Sequence, residues 1–383
     1  MGVILADGWP AWRSRRLITM EAQSQESALK TPIIIGIVAK CSTRRVVADS
    51  RERVSGGSEV INRVITILSG AALLGAVFAT PDVTRAGSPT WYVGPNTNLS
   101  GGSCEDPDFS TNESNDHEEV QDAVDAATAG DTIILCEGEY FFTDQVSIEI
   151  NLTFIGAGEE DTVIDGQGTT RLFNSTANLT LESMTLQNAD SSGMNDCISS
   201  WQDGGAVCTN GVVSLRSTQF LNNYSAEWGG AVAAGEVRIT SSVFTGNESR
   251  DIGGAVVTEG QNGVASVIES SIFSGNIASG SGGAILTSSG DMLTIMRSQF
   301  VGNEAGYNGG AVYANSMNVA RSRTNVFRAN VAGRLGGALY VRSNRRSDAA
   351  KLKGANRFYR NRSARHSAQD IIVDLTSGLG GPG

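Results

Sequence analysis

Residues 187 to 204, "QNADSSGMNDCISSWQDG", gather the residue types that a ligand site on this chain would need. Asp190, Asp196 and Asp203 are hard oxygen donors of the kind that hold Ca²⁺. Trp201 offers a flat face on which a sugar ring could stack. The plainer reading is a surface loop pinned by a disulfide between Cys197 and Cys208, and it predicts the same composition. No cofactor is otherwise called for, and Ca²⁺ on these acids is the one ion the sequence admits. The repeat-based calcium motif Gly-Gly-x-Gly-x-Asp is absent.

Catalysis asks for more. A polysaccharide lyase needs clustered acids for Ca²⁺ and an Arg or Lys base, and a hydrolase needs paired carboxylates at a suitable separation. Residues 87 to 320 contain no lysine and only five arginines, Arg171, Arg216, Arg238, Arg250 and Arg297. His117 and His366 fall outside the repeats described next, where solvated histidines are expected. No catalytic residue is assigned, and a diverged lyase or hydrolase stands as the alternative to a non-catalytic binder.

What must position any such group is a repeat. Phe-x-x-Asn recurs at Phe220/Asn223, Phe244/Asn247, Phe273/Asn276, Phe300/Asn303 and Phe327/Asn330, with periods of 24 to 29 residues. Six residues after each Asn a Gly-Gly-Ala-aliphatic unit begins, at Gly229, Gly253, Gly282, Gly309 and Gly336; an orphan unit starts at Gly204. Phe358/Asn361 opens a further copy without its glycines.

A fixed period in this range marks a solenoid. Paired glycines would cost about 1 kcal/mol each inside helices, and intervening segments such as "EVRITSSVF" alternate apolar and polar at period two. Short strands joined by Gly and Asn corners make a parallel β-helix, an all-β fold. Each Phe then stacks inward on its counterpart in the next coil. Each Asn forms a ladder rung at a corner, in left-handed backbone, and each glycine pair permits positive φ and close approach. The residues between Asn and glycines, Glu304 and Tyr307 in one copy, fall on a variable corner. Upstream, "EEVQDAVDAAT" places Val120, Ala123, Val124 and Ala127 on one helical face, which predicts a short cap over the N-terminal end of the stack.

The termini complete the organisation. Residues 1–63 form a basic extension, and 64–86 read as a secretory signal or signal-anchor built on "VITILSGAALLGAVFA", with cleavage after Ala79 or Ala86. Residues 87–366 form the β-helix with its cap, and 367–383 form a tail. Four cysteines follow the signal, and the sequence-local pairing is Cys104 with Cys136 and Cys197 with Cys208. The net charge of -11 is uneven: residues 87–320 carry 30 acids against five arginines, whereas 321–366 carry 13 Lys/Arg and one acid, Asp348. An acidic body repels nucleic acid, so no nucleic-acid partner is expected. Eight Asn-x-Ser/Thr sequons occur, two of them at the ladder positions Asn223 and Asn247.

The paired Phe-x-x-Asn and Gly-Gly-Ala-aliphatic motifs resemble those of the polymorphic outer membrane protein repeat family. The start "DAVDAATAGDTIILCEGEY" is similar to that of many secreted right-handed parallel β-helix proteins related in fold to pectate lyases, which implies a right-handed solenoid. The resemblance covers roughly residues 90–365. It implies a secreted or cell-surface protein, at the outer membrane in some members, and an adhesin-like scaffold that binds polysaccharide, a cell envelope or a host surface. Membrane contact is then expected only through the N-terminal signal or anchor. The motif residues carry over as scaffold, and the Asn-Thr-Asp, Asp-Asp and Gly-His-Gly signatures of polygalacturonases are absent.

Overall fold

The computed structural model describes residues 90–95, 101–111, 116–194, 204–260, 265–342, 347–364 and 370–374. Every described residue lies within one compact unit, Asp82–Gly383. The 1–63 extension, the apolar stretch 64–79 with its cleavage sites, and most of 367–383 lie outside the described residues. Among the described residues no helix is long and apolar enough to cross a membrane.

Alternation of apolar and polar residues drives each short segment into strand, and the repeat places every strand beside its homologue one coil away. A 23-stranded sheet results, joined by a separate six-stranded one. Pairing is parallel and in register wherever the motif recurs: Phe220 opposes Phe244, then Phe273, Phe300, Phe327 and Phe358 in turn. The protein is a parallel β-helix with three broad faces and one narrow one. The first face runs from Val146–Ile148 to Ile371–Asp374, the second from Thr90–Gly94 to Thr294–Met296, and the third from Gly138–Phe141 to Arg357–Tyr359. The narrow face consists of two-residue strands from Tyr224–Ser225 to Arg362–Ser363.

Inside, the phenylalanines form one continuous stack. Successive ring centroids lie 4.7–5.0 Å apart and the planes agree within 9°. That spacing equals the distance between hydrogen-bonded strands, so the backbone ladder, rather than any preference of the rings, dictates it. The asparagines form a second column beside the stack. Each buried rung donates its backbone N–H and its Nδ2 to the Oδ1 of the next, from Asn223 through Asn247, Asn276, Asn303 and Asn330 to Asn361. From Asn247 onward the same Nδ2 also donates to the carbonyl of a phenylalanine in the preceding coil, as Asn303 does to Phe273, while Asn223 donates to Leu186 O.

The left-handed backbone expected at these asparagines sits one residue earlier. Asn222, Gly246, Gly275, Gly302, Ala329 and Arg360 have φ of 53° to 66°, and the ladder asparagines do not. The turn must reverse the chain before the rung so that the amide can point inward, and the residue that bends is therefore exposed or only half-buried. In the glycine pairs the two members divide the work. The first, as at Gly309 with φ 69°, takes the left-handed turn, while a Cβ on the second, as at Gly310, would lie 2.1 Å from the Gly337 carbonyl oxygen.

A further ladder runs through Thr218, Ser242, Ser271, Ser298, Asn325 and Asn356, each backbone N–H donating to the side-chain oxygen of the next. Its position, two residues before each Phe, is held by three residue types, which hides it from a search for identical residues. The stretch 367–383 also differs from a plain tail: Ile371–Asp374 is a strand that pairs with Leu339–Arg342.

Helix α1, His117–Ala126, buries Val120, Ala123 and Val124 against the first coils, the face its pattern predicts. It also closes strand edges. The Gln121 side chain donates to Ser147 O and accepts from Ser147 N, while Asp116 accepts from Phe141 N and donates its own N–H to Phe141 O. Side chains thus stand in for a missing strand and blunt an edge that would otherwise recruit another chain. His117 lies half-buried beside the Phe142 ring, 6.3 Å between centroids, rather than free in solvent. Helix α2, Asp348–Ala355, buries Leu352 against the last coils.

Cys104 and Cys136 are disulfide-bonded across 32 residues, as expected. Cys208 is disulfide-bonded too, its partner lying outside the described residues. Replacing Cys104 and Cys136 together by serine is expected to lower unfolding free energy by about 2 to 4 kcal/mol. Hydrogen exchange should localise the loss to the coils around Thr132–Leu135, and uniform loss across all coils would contradict the local placement.

Candidate functional site

A two-residue strand points one side chain in and one out. On the narrow face the inward residues Ser225, Ser249, Ala278, Ala305, Ala332 and Ser363 are small and buried, which lets the neighbouring faces approach. The outward residues Tyr224, Glu248, Ile277, Glu304, Val331 and Arg362 change from each rung to the next, with glutamate at two of the six. The segment between Asn and glycines, read from the sequence as a corner, is thus a sheet with an outer surface of its own.

Three residues further on, the chain turns along an edge beside that surface. Its rungs are Glu227, Asp251, Gly280, Tyr307 and Arg334, each backbone N–H donating to the carbonyl of the rung before. Glu227 and Asp251 are acidic, Tyr307 is 47% exposed, and the Arg334 guanidinium carbon lies 4.3 Å from the Tyr307 ring centroid. The Trp228 indole N–H donates to Asp251 Oδ2 at 3.2 Å. Charge therefore changes sign along the stack, from Glu227, Glu248 and Asp251 in the earlier coils to Arg334 and Arg362 in the later ones. Such a gradient orients a charged partner and screens out the reverse orientation.

The loop predicted from the sequence meets this surface at its first rung. Asp190 pairs with Tyr224 as an isolated bridge, and its Oδ1 accepts the Ser192 N–H at 2.7 Å. Asp196, Trp201 and Asp203 lie outside the described residues, as does Cys197. Among the described residues no three His, Cys, Asp or Glu side chains gather as a metal site would require. Of the five body arginines, Arg171 is fully buried, its Nε donating to Gly204 O and its Nη1 to Gln145 Oε1. Arg216 and Arg297 pair with Glu182 and Glu269 on the second face. The contacts of these three are structural, whereas Arg238 and Arg250 are exposed.

A groove of about 560 Å³ follows the turn between the first and second faces and is lined by Asn151, Thr176, Ala177, Asn178, Asn210, Gly211 and Val212. Two of its asparagine oxygens are spent on the backbone: Asn151 Oδ1 accepts from Asn178 N, and Asn178 Oδ1 accepts from Val212 N. The lining carries no charge, so nothing there selects a polar orientation as the narrow face does.

The outward column and the edge column follow each ladder Asn at one and four residues. Glu304 and Tyr307 were visible in the sequence as variable positions of their copy. The alignment of Glu304 with Ile277 and Glu248, and of Tyr307 with Gly280 and Asp251, was not, because a column of mostly unlike residues leaves no repeated letter.

No curated protein and no solved structure matches the chain. Residues 270–288, which span Phe273, the rung Asn276 and the glycine pair at Gly282, match the Chlamydia polymorphic membrane protein (Chlamydia_PMP) repeat family.

Proposed function

We propose that the chain is a bacterial cell-surface or secreted repeat scaffold whose narrow face and edge contact the glycan of a cell envelope or host surface, without catalysis. One observation carries this reading: the buried Phe and Asn positions are the same residue in five successive coils, while the exposed positions one and four residues after each Asn change at every rung. A constant interior with a variable outer column is what a fold presents when the coils exist to hold a contact surface. The matched repeat family carries a membrane protein's name, which supports placement at a cell surface.

Purified full chain should bind intact bacterial cells or a printed glycan array. It should release no unsaturated product from acidic polysaccharides in the presence of Ca²⁺. Changing Tyr224 and Glu248 together to alanine should weaken that binding about tenfold and leave the melting midpoint unmoved. Steady turnover of a polysaccharide would replace this reading with the lyase or hydrolase one.

A further inference from the structure

The last rungs of the phenylalanine and asparagine columns belong to "RFYRNR", residues 357 to 362. Phe358 and Asn361 continue the two columns, so Arg357, Tyr359, Arg360 and Arg362 are left on the outside, and all four are exposed. One coil earlier, exposed Arg328 opposes Tyr359 in register, and exposed Arg334 follows on the edge column. Five guanidiniums and a tyrosine therefore surround the corner between the third and narrow faces in two successive coils, one strand spacing of roughly 4.8 Å apart.

No carboxylate answers them. Arg216 and Arg297 on the second face each stand against a glutamate of the preceding coil. Among the described residues none of the five corner arginines makes an ion pair, and only Arg334 has a side-chain partner, the Tyr307 ring. Asp348, the one acid in residues 321–366, is buried and faces Lys351. Asp374 ends the last strand of the first face and accepts the Tyr340 O–H. Glu304, on the narrow face, is two coils from Arg362, roughly 9.6 Å and so about a Debye length away. Arg360 also occupies the left-handed turn, at φ 55°, where earlier coils place Asn222, Gly246, Gly275, Gly302 and Ala329. A long side chain is poorly suited to that backbone, and crowding like charges adds repulsion that an anion from outside would relieve.

We propose that this exposed corner binds a polyanionic glycan through its sulfate or phosphate esters, gripped by Arg357, Arg360 and Arg362 with Arg328 and Arg334 beside them. The proposal rests on the reading of this surface as a glycan contact and names the glycan's class. A guanidinium fork matches two oxygens of one oxyanion, which a neutral sugar cannot offer. A chain with one carboxylate per sugar presents fewer charges to five crowded cations than one bearing esters as well. Tyr359, 50% exposed, gives the sugar's apolar face a ring to lie on between the charged contacts. The body behind the corner, with 30 acids against five arginines in residues 87–320, repels a polyanion whose charge is uniform along its length, as a nucleic acid's is. A glycan with clustered esters can place them on the corner and turn its sparser stretches to the acidic coils.

The test is calorimetric titration of the full chain. A heparin hexasaccharide, carrying sulfate esters, or a phosphorylated mannohexaose should bind, and the tighter of the two tells which ester the corner takes. Hexagalacturonate, chitohexaose and a six-nucleotide thymidine strand should each bind at least tenfold more weakly. Arg357→Ala, Arg360→Ala and Arg362→Ala combined should weaken ester-glycan binding at least tenfold. The same variant should flatten the dependence of log Kd on log salt by roughly one for each arginine that contacts an ester. Arg321→Ala with Lys353→Ala, which removes two exposed charges elsewhere in the same basic stretch, should stay within about threefold of the parent. The melting midpoint should be unchanged in both variants, since all five side chains are exposed.

Parent-like affinity in the triple variant, or an equal loss in the control pair, would overturn the corner site while leaving the contact surface standing. A thymidine strand bound as tightly as the ester glycans would reassign the corner to nucleic acid and overturn the proposal. Failure of the parent to bind any probe, alongside binding to intact cells, would remove only the corner site. Failure with both cells and probes would remove the surface reading too.

Discussion

Asn303→Ala is expected to destabilise the protein by about 4 to 6 kcal/mol, more than any change on its surface. Asn303 Oδ1 accepts both the backbone N–H and the Nδ2 of Asn276, and its own Nδ2 donates to Phe273 O and Asn330 Oδ1. Truncation to alanine orphans at least two donors and one carbonyl in a site with no water access, each costing about 1 to 3 kcal/mol. Asn303 itself is fully buried, as are Asn276 and Asn330. Aspartate would not rescue, because a carboxylate can accept from Asn276 but cannot donate to Phe273 O, and it would bury a charge. Glutamine would carry the right groups on a side chain too long for the column. Chemical denaturation gives the magnitude; a loss under 1 kcal/mol in Asn303→Ala would mean that the ladder contributes little beyond its backbone.

Phe300→Ala is expected to cost about 3 to 5 kcal/mol through lost burial and the cavity left behind. The ring sits between Phe273 and Phe327 at 5.0 and 4.9 Å. Its neighbours cannot close the gap, because their spacing is set by backbone ladders on either side. The damage should be local. In a stack where each coil touches only the next, protection against hydrogen exchange should fall in the coils holding Phe273, Phe300 and Phe327 and remain near parental around Phe154 and Phe173. Phe300→Leu should recover much of the loss. An alanine variant that melts like the parent would show that the stack follows the ladder without stabilising it. Together the two substitutions separate the polar column from the apolar one, and Tyr307→Ala supplies the contrast of a neighbouring residue whose loss should not register in stability.

Much of the scaffold was legible because parallel, in-register stacking converts a one-dimensional period into a spatial column. A residue that recurs every 24 to 31 positions must lie above its own copy, so Phe300 and Asn303 announce their neighbours without any structure. The capping helix was legible for a similar reason: Val120, Ala123 and Val124 share a face by helical spacing alone.

Positions whose meaning depends on the shape of the turn were harder to read. The left-handed residue before each rung is Asn, Gly, Ala or Arg in different coils, so composition does not mark it. The ladder from Thr218 to Asn356 needs only an oxygen at each rung, and three residue types provide one. A two-residue strand such as Glu304–Ala305 is too short for alternation to be counted.

The candidate site belongs to this second group. The sequence by itself determined that the chain winds into stacked coils, which residues fill them, and where its charge lies. Only the tertiary structure decided that Asp251 and Tyr307, two repeats apart in the chain, stand on either side of a glycine on one exposed edge. The reason is physical: buried positions repeat because each must match the copy above it, whereas exposed positions are free to differ, and unlike residues reveal their column only when the backbone has placed them in it.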